Sequence, residues 1–192
     1  ATFLFATDTF LNQYIRACQG NVLGKLRFAV CGAERVRDET RQLVRKRFDV
    51  ELLEGYGATE ASPVIAVNQP SRNRPGTVGR PLPGMELKFE PVPGIEHGGR
   101  MLVRGPNVMQ GYLSASKPGE LQILNGGWHD TGDIVSQDDE GCLTIKGRLK
   151  RFAKIGGEMV SLAVVENVAS TLWREHDHAA AVLPDKRKGE QI

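Results

Sequence analysis

Two short stretches, near residues 128 and 148, carry side chains that could bind a pair of sugar hydroxyls. Trp128-His-Asp-Thr-Gly-Asp133 places a carboxylate after a glycine turn, and Gly147-Arg148 supplies a guanidinium with several donors. The Asp133 carboxylate can accept hydrogen bonds from both hydroxyls of a ribose, with Arg148 beside it. Asp130 could be the acceptor instead. A surface Asp–Arg ion pair, contributing at most about 1 kcal/mol, would give the same pattern.

A second candidate stretch, Tyr56-Gly57-Ala58-Thr59-Glu60, follows an apolar run. Tyr56 offers an aromatic face to a purine, and Gly57 permits close approach of a ligand to the backbone. Thr59 offers a hydroxyl to phosphate, and Glu60 offers a carboxylate to Mg²⁺. An ordinary strand ending in a turn would look the same, so this stretch gains weight only together with the first.

Helix and strand patterns alternate before and around these residues. The predicted elements are a helix with Leu11, Tyr14, Ile15 and Cys18 on one face and Asp8 as its cap, a strand over 26–31, a helix capped by Asp38 with Val44 and Phe48 on its inner face, and a strand over 50–54. This alternation favours a parallel α/β sheet whose ligands lie at the carboxyl ends of the strands.

From Pro70 onward, prolines and glycines interrupt short alternating runs, which is typical of antiparallel strands and turns. Runs over 133–137 and 142–146 flank Asp-Asp-Glu-Gly as a predicted hairpin, which would bring Asp133 and Arg148 together. Beyond Lys150 we predict a helix capped by Ser161 and a strand over 179–183. The stripe of that helix consists of Leu162, Val165, Val168, Ala169 and Leu172.

Composition narrows the function classes. The chain has 192 residues, enough for one domain or two small ones, and its 25 basic and 23 acidic residues argue against a nucleic-acid partner. Three cysteines, odd in number and far apart, support neither a disulfide framework nor a zinc site, so a reducing, cytosolic setting fits best. No apolar run approaches the roughly 20 residues of a membrane span. Because the sequence begins with Ala1, we expect a fragment of a larger protein.

Taken jointly, in this order and spacing, the stretches resemble the acyl-adenylate-forming (AMP-binding) superfamily. Further identity lies in 53–60, Pro75-Gly-Thr-Val-Gly79, Gly105-Pro-Asn-Val-Met-Gln-Gly-Tyr-Leu113, 151–155 and 157–162. Within the superfamily the chain most resembles the acyl-acyl carrier protein synthetase half of the bifunctional synthetase/2-acylglycerophosphoethanolamine acyltransferases. The resemblance implies an α/β fragment of the adenylate-forming fold. Its expected parts are a nucleotide-binding region over 1–90, a β-rich subdomain over 91–149 and a truncated mobile C-terminal domain over 150–192.

The resemblance implies an ATP- and Mg²⁺-dependent ligase. By this resemblance, a fatty acid carboxylate would attack the ATP α-phosphate to give acyl-AMP and pyrophosphate, and the phosphopantetheine thiol of acyl carrier protein would then take the acyl group and release AMP, for lysophospholipid reacylation. The implied roles are Ala33 and Glu34 beside adenine, Tyr56 and Gly57 on the purine, Thr59 on phosphate, Glu60 on Mg²⁺, Asp133 and Arg148 on ribose, Lys150 as hinge, and Lys154 with Gly156-Gly157 in thiol transfer. The parent is expected at the cytoplasmic side of the inner membrane.

Two parts of the superfamily pattern are missing from the 192 residues: the Ser/Thr/Gly-rich phosphate loop and the C-terminal adenylation lysine. Loss of such electrostatic groups typically lowers rates about 100-fold or more. We therefore expect that the chain alone does not adenylate fatty acids. An acyl-CoA ligase and a non-catalytic module that binds nucleotide or carrier protein are the alternatives.

Overall fold

A five-stranded sheet forms the first part of the computed structural model, which describes residues 2–20 and 22–192. Its strands are β1 (Phe3–Ala6), β2 (Phe28–Cys31), β3 (Leu52–Gly57), β4 (Val64–Val67) and β5 (Arg80–Pro81), in that order across the sheet. Strands β1, β2 and β3 are parallel, and β4 and β5 continue the sheet antiparallel. The predicted parallel α/β sheet is thus confirmed, although the prediction omitted β1.

Two helices cover this sheet, α1 (Asp8–Ala17) and α2 (Asp38–Phe48). Leu11 and Ile15 of α1, one turn apart, and Val44 of α2 are buried in one apolar core with residues of β2 and β3. The basic residues in the last turn of α2 lie where the helix dipole is negative. Helical periodicity in the sequence therefore predicted both helices correctly.

The predicted helix caps were wrong. Thr7 caps α1, because its side chain accepts a hydrogen bond from the amide of Phe10, whereas Asp8 is already helical. The buried Asp8 carboxylate instead pairs with the side chain and the amide of Arg37. Arg37, not Asp38, is the N-cap residue of α2.

Short strands occupy the middle of the chain. They are β6 (Glu86–Glu90), β7 (Gly99–Arg104), β8 (Gly111–Leu113), β9 (Leu121–Ile123), β10 (His129–Gln137) and β11 (Leu143–Arg148). Strands β8 and β9 form a two-stranded ribbon, and the other four form a sheet of order β11-β10-β7-β6. The predicted hairpin is confirmed with longer strands, and its turn is closed by a 2.9 Å bond from the Gly141 amide to the Asp138 carbonyl. Single 3-10 turns lie at Thr59–Ala61, Pro70–Arg72, Asn125–Gly127 and Leu149–Arg151.

The last part of the chain is a small α+β arrangement. It contains β12 (Phe152–Ile155), β13 (Glu158–Ser161), α3 (Leu162–Leu172), β14 (Leu183–Asp185) and β15 (Gly189–Gln191), with the sheet order β13-β12-β15-β14. Helix α3 is confirmed, but of its predicted stripe only Leu162 is buried, and Val168 and Leu172 are exposed. Ser161 is the N-cap residue without a capping side-chain bond in the described part of the chain. The strand predicted over 179–183 was wrong, because the chain becomes extended only at Leu183.

The contacts divide the chain into two compact units. The first comprises residues 1–86, 103–129 and 137–144, and the second comprises 87–102, 130–136 and 145–192. The boundaries predicted at 90 and 149 stay a prediction. In the described ranges no helix has both the length and the apolar character that crossing a bilayer would require.

Candidate functional site

A groove of about 710 Å³ opens at the carboxyl ends of β1, β2 and β3, within the first unit. We call it the β1–β3 groove. Ala33, after β2, and Tyr56 and Gly57, at the end of β3, contribute to its lining, and Phe5, Phe10 and Tyr14 add aromatic surface. A volume of 300–1,000 Å³ at strand ends is typical of cofactor and small-molecule sites. The structure thus brings three of the predicted adenine-binding residues to one hollow.

Strand β3 was predicted over 50–54 but covers Leu52–Gly57, and its later end places Tyr56 and Gly57 on the strand and not in a turn. The pairing of β3 with β4 shifts register between these two residues. A side chain at position 57 would lie 2.1 Å from the carbonyl oxygen of Pro63, so only glycine fits there. Gly57 therefore lets Pro63, just before β4, pack against the end of β3. Tyr56 lines the groove at this end of the strand.

Glu34 lies outside the groove lining, although it was predicted beside adenine. Its carboxylate accepts hydrogen bonds from the Thr9 amide at 3.0 Å and the Thr9 hydroxyl at 2.8 Å. These two bonds lower the pKa of Glu34 below its ordinary value. The preceding residue, Ala33, has a left-handed backbone with φ 66°. The turn at 33–34 is thus fixed by the first turn of α1.

Thr59 and Glu60 lie in the next 3-10 turn, also outside the groove lining. One oxygen of Glu60 accepts a 2.8 Å hydrogen bond from the Tyr112 hydroxyl, and the other lies 3.9 Å from Nε2 of the buried His129. Burial is the main cause that raises the pKa of Tyr112, and the hydrogen bond to Glu60 is the second. The hydroxyl is therefore protonated at neutral pH and donates to Glu60. Sequence reasoning missed both Tyr112 and His129 as neighbours of Glu60.

Glu60 fits Mg²⁺ in one specific way. In the part of the chain that the structure describes, no three His, Cys, Asp or Glu side chains cluster as a metal cage. A single carboxylate with 28% of its side chain exposed suits a Mg²⁺ ion that takes its other ligands from water and substrate phosphates. Glu60 would therefore hold the metal only together with a nucleotide.

In the second unit, Asp133 and Arg148 lie together, as the hairpin predicted. Nε of Arg148 is 3.0 Å from Oδ1 of Asp133, whose side chain is only 5% exposed, while that of Arg148 is 66% exposed. A second guanidinium nitrogen donates to the carbonyl of Thr131 at 3.1 Å. The buried carboxylate therefore meets a guanidinium that itself faces solvent, an arrangement a hydroxylated ligand could join.

The glycine turn before Asp133 is tightly fixed. The Thr131 hydroxyl donates to the Met101 carbonyl at 2.8 Å and accepts from the Asp133 amide at 3.2 Å. Gly132 has φ 69°, which favours glycine. Asp130, the alternative acceptor, binds the Gly132 amide and lies 3.6 Å from Arg100. The geometry favours Asp133 over Asp130 as the partner of Arg148.

The residues predicted for the hinge and thiol transfer lie on the surface of the second unit. Lys150 is exposed in the 3-10 turn before β12, and Lys154 is exposed on β12 itself. Gly156 and Gly157 turn the chain from β12 into β13 with φ 60° and 100°. Neither position would bring a Cβ within 4 Å of another atom, so the turn is open to an approaching ligand.

Comparison with known proteins decides the family. The model of the AMP-binding enzyme family matches residues 1–113, more than half of the chain. The chain belongs to the AMP-binding enzyme family.

The chain is similar to curated CoA ligases. A 3-[(3aS,4S,7aS)-7a-methyl-1,5-dioxo-octahydro-1H-inden-4-yl]propanoyl:CoA ligase from Mycobacterium tuberculosis is 37% identical over 172 residues, 88% of this chain and 33% of the relative. A long-chain-fatty-acid--CoA ligase from Bacillus subtilis is 32% identical over 178 residues, 88% of this chain and 31% of the relative. The chain thus spans about a third of the length of these relatives.

Solved structures have the same fold. The O-succinylbenzoate coenzyme A synthetase from Bacillus subtilis, solved with ATP and magnesium ion, matches with a TM-score of 0.77 and 26% identity. The match covers 99% of this chain and 40% of the solved chain. The fold is therefore a mixed α/β part of the adenylate-forming architecture.

Proposed function

We propose that the chain is the nucleotide-binding part of an ATP-dependent long-chain fatty acid ligase. The parent protein would form acyl-AMP and pass the acyl group to the phosphopantetheine thiol of acyl carrier protein, for reacylation of lysophospholipid at the cytoplasmic side of the inner membrane. The observation that carries this proposal is the β1–β3 groove, because an aromatic side chain and a backbone without Cβ meet there at strand ends.

Each unit has its own set of residues proposed to contact nucleotide. In the groove, Tyr56 and Gly57 take the purine and Ala33 borders it; Glu34 acts indirectly, by fixing the turn that carries Ala33. Thr59 would contact phosphate, and Glu60 would hold Mg²⁺ together with the nucleotide. In the second unit, Asp133 is proposed to accept hydrogen bonds from ribose hydroxyls, and Arg148 orients that carboxylate. When bound, Mg²⁺ offsets phosphate charge.

The apolar part of the groove supports a fatty acyl substrate. Phe5, Phe10 and Tyr14 line it and are each about half exposed or more, so a hydrocarbon chain would cover surface that now faces water. The relative named as a long-chain-fatty-acid--CoA ligase agrees with this substrate class. A palmitoyl chain would gain about 0.8 kcal/mol for each methylene it buries.

We assign the transfer of the acyl group to the thiol to residues of the second unit. The glycine turn at 156–157 leaves backbone accessible to a pantetheine arm, and Lys154 stands next to it on β12. Lys150 lies in the turn that precedes β12, where a change of backbone angles would rotate the segment from β12 onward.

An acyl-CoA ligase is the second candidate, favoured because the curated relatives are CoA ligases. Titration of the chain with holo-acyl carrier protein and with CoA separates the two, because a carrier-protein ligase binds the protein more tightly than the free thiol. Tighter binding of CoA would support the second candidate.

The test of the proposal is a calorimetric titration of the chain with AMP and with a non-hydrolysable palmitoyl-adenylate analogue. We expect both to bind with one site, the analogue at least tenfold more tightly because its chain covers the apolar surface of the groove. Equal affinity would contradict a fatty acyl substrate. No binding of either would contradict the nucleotide site itself and leave only the non-catalytic carrier-protein module.

A further inference from the structure

The segment from Gly105 to Leu113 is hydrogen-bonded to the turn that carries Glu60. The side-chain amide of Asn107 donates to the carbonyls of Ala61 at 2.6 Å and Val64 at 2.9 Å. The amide of Met109 donates to the Glu60 carbonyl at 2.8 Å. These bonds fix the backbone on both sides of the Glu60 carboxylate.

The same segment also forms a hydrogen bond with the Glu60 carboxylate. The Tyr112 hydroxyl donates to Oε1 of Glu60 at 2.8 Å, across 52 residues of sequence. A hydrogen bond to one oxygen of a flexible glutamate limits rotation about its last bond, and so sets the direction of the other oxygen.

Tyr112 is held on a rigid ribbon. It lies in the middle of β8 and pairs with Gln122 of β9. At the neighbouring Gly111 a Cβ would lie 2.1 Å from the Gln122 carbonyl oxygen, so glycine permits the close pairing of the two strands. The hydroxyl is thus placed by the ribbon before any ligand arrives.

We propose that Tyr112 is a positioning residue for Mg²⁺, which orients the Glu60 carboxylate toward the metal shared with the nucleotide phosphates. Mg²⁺ demands near-ideal octahedral geometry, so a single protein carboxylate must point correctly. Groups that orient a ligand typically change metal affinity 10- to 100-fold. This inference rests on the proposed nucleotide site.

The experiment measures binding of α,β-methylene ATP to the chain by calorimetry, once with saturating Mg²⁺ and once with EDTA. The ratio of the two dissociation constants is the metal-dependent gain. Tyr112→Phe removes only the hydroxyl, and Glu60→Gln removes the metal ligand. Leu113→Ala is the matched control, because this neighbouring side chain on β8 is 72% exposed. Direct Mn²⁺ binding by electron paramagnetic resonance, in the presence of the nucleotide, gives a second readout.

For Tyr112→Phe we expect the metal-dependent gain to fall about tenfold while the constant in EDTA stays unchanged. Glu60→Gln should abolish the gain, and Leu113→Ala should leave it intact. An unchanged gain and unchanged Mn²⁺ affinity in Tyr112→Phe would overturn the positioning role alone. Absence of nucleotide binding in the unmodified chain, with and without metal, would overturn the proposed function and this inference together.

Discussion

At the scale of single residues, the Asp133–Arg148 pair combines a buried acid with an exposed base. An ordinary surface pair has both partners in water and contributes little. Here the carboxylate is already desolvated, its backbone is fixed through Thr131, and its partner remains accessible. This geometry is the basis of the proposal that Asp133 accepts hydrogen bonds from a ligand.

Replacing Asp133 tests this view. We expect Asp133→Asn to weaken AMP binding at least tenfold, because hydrogen bonds to a charged group contribute about 1.5–3 kcal/mol. Asp130→Asn, three positions earlier and with its side chain 46% exposed, is the matched control and should change affinity little. Calorimetry measures both, and a greater loss for Asp130→Asn would make that residue the acceptor.

Cysteine chemistry provides a second residue-scale prediction. Cys31 is 1% exposed, and burial raises the pKa of its thiol to about 12, so it should resist modification in the folded chain. Cys142 is buried as well, whereas Cys18 is partly exposed. Titration with Ellman's reagent at pH 8 should label one thiol in the native chain and three after unfolding. Labelling of Cys31 in the native chain would contradict its burial.

At the scale of elements, Asp8 joins the starts of α1 and α2. Burial alone would raise the pKa of Asp8, but hydrogen bonds from Thr40 and Arg37 outweigh this effect and lower the pKa below its ordinary value. A lowered pKa means that the stabilisation is fully present above the ordinary pKa and is lost as pH falls through the folded value.

We therefore expect Asp8→Asn to destabilise the chain by about 1–3 kcal/mol at pH 7, less than for a fully buried pair because Arg37 is 57% exposed. Thermal melts of both proteins should converge as the pH falls below about 4. A constant difference from pH 7 to pH 3 would show that the charge of Asp8 is not the cause.

Elements also show what sequence can predict. The helices α1 and α2 follow from local periodicity, and the hairpin of β10 and β11 follows from its turn, so the meeting of Asp133 and Arg148 was predictable. Strand β1 is only four residues long and is stabilised by pairing with β2. This pairing is between distant segments, so no local sequence pattern predicts it. The bond between Tyr112 and Glu60 likewise depends on strand packing across 52 residues, and its only signal was the Gly105–Leu113 motif itself.

At the scale of the whole molecule, the chain spans about a third of its curated relatives. Its 192 residues include no Ser/Thr/Gly-rich phosphate loop. We therefore expect the chain to bind adenylate but not to catalyse its formation. We expect the chain with ATP, Mg²⁺ and palmitate to release no pyrophosphate above background, although it binds AMP. A coupled pyrophosphate assay measures this, and release that depends on palmitate would contradict the expectation.

The most direct test of the account is whether a purine lies against Tyr56. An isotope-filtered nuclear Overhauser experiment on the labelled chain with bound AMP detects ligand and protein protons that are in close contact. We expect cross-peaks between the adenine protons H2 or H8 and the ring of Tyr56, which lines the β1–β3 groove. Bound AMP whose adenine shows cross-peaks only to residues away from this groove would contradict the central claim.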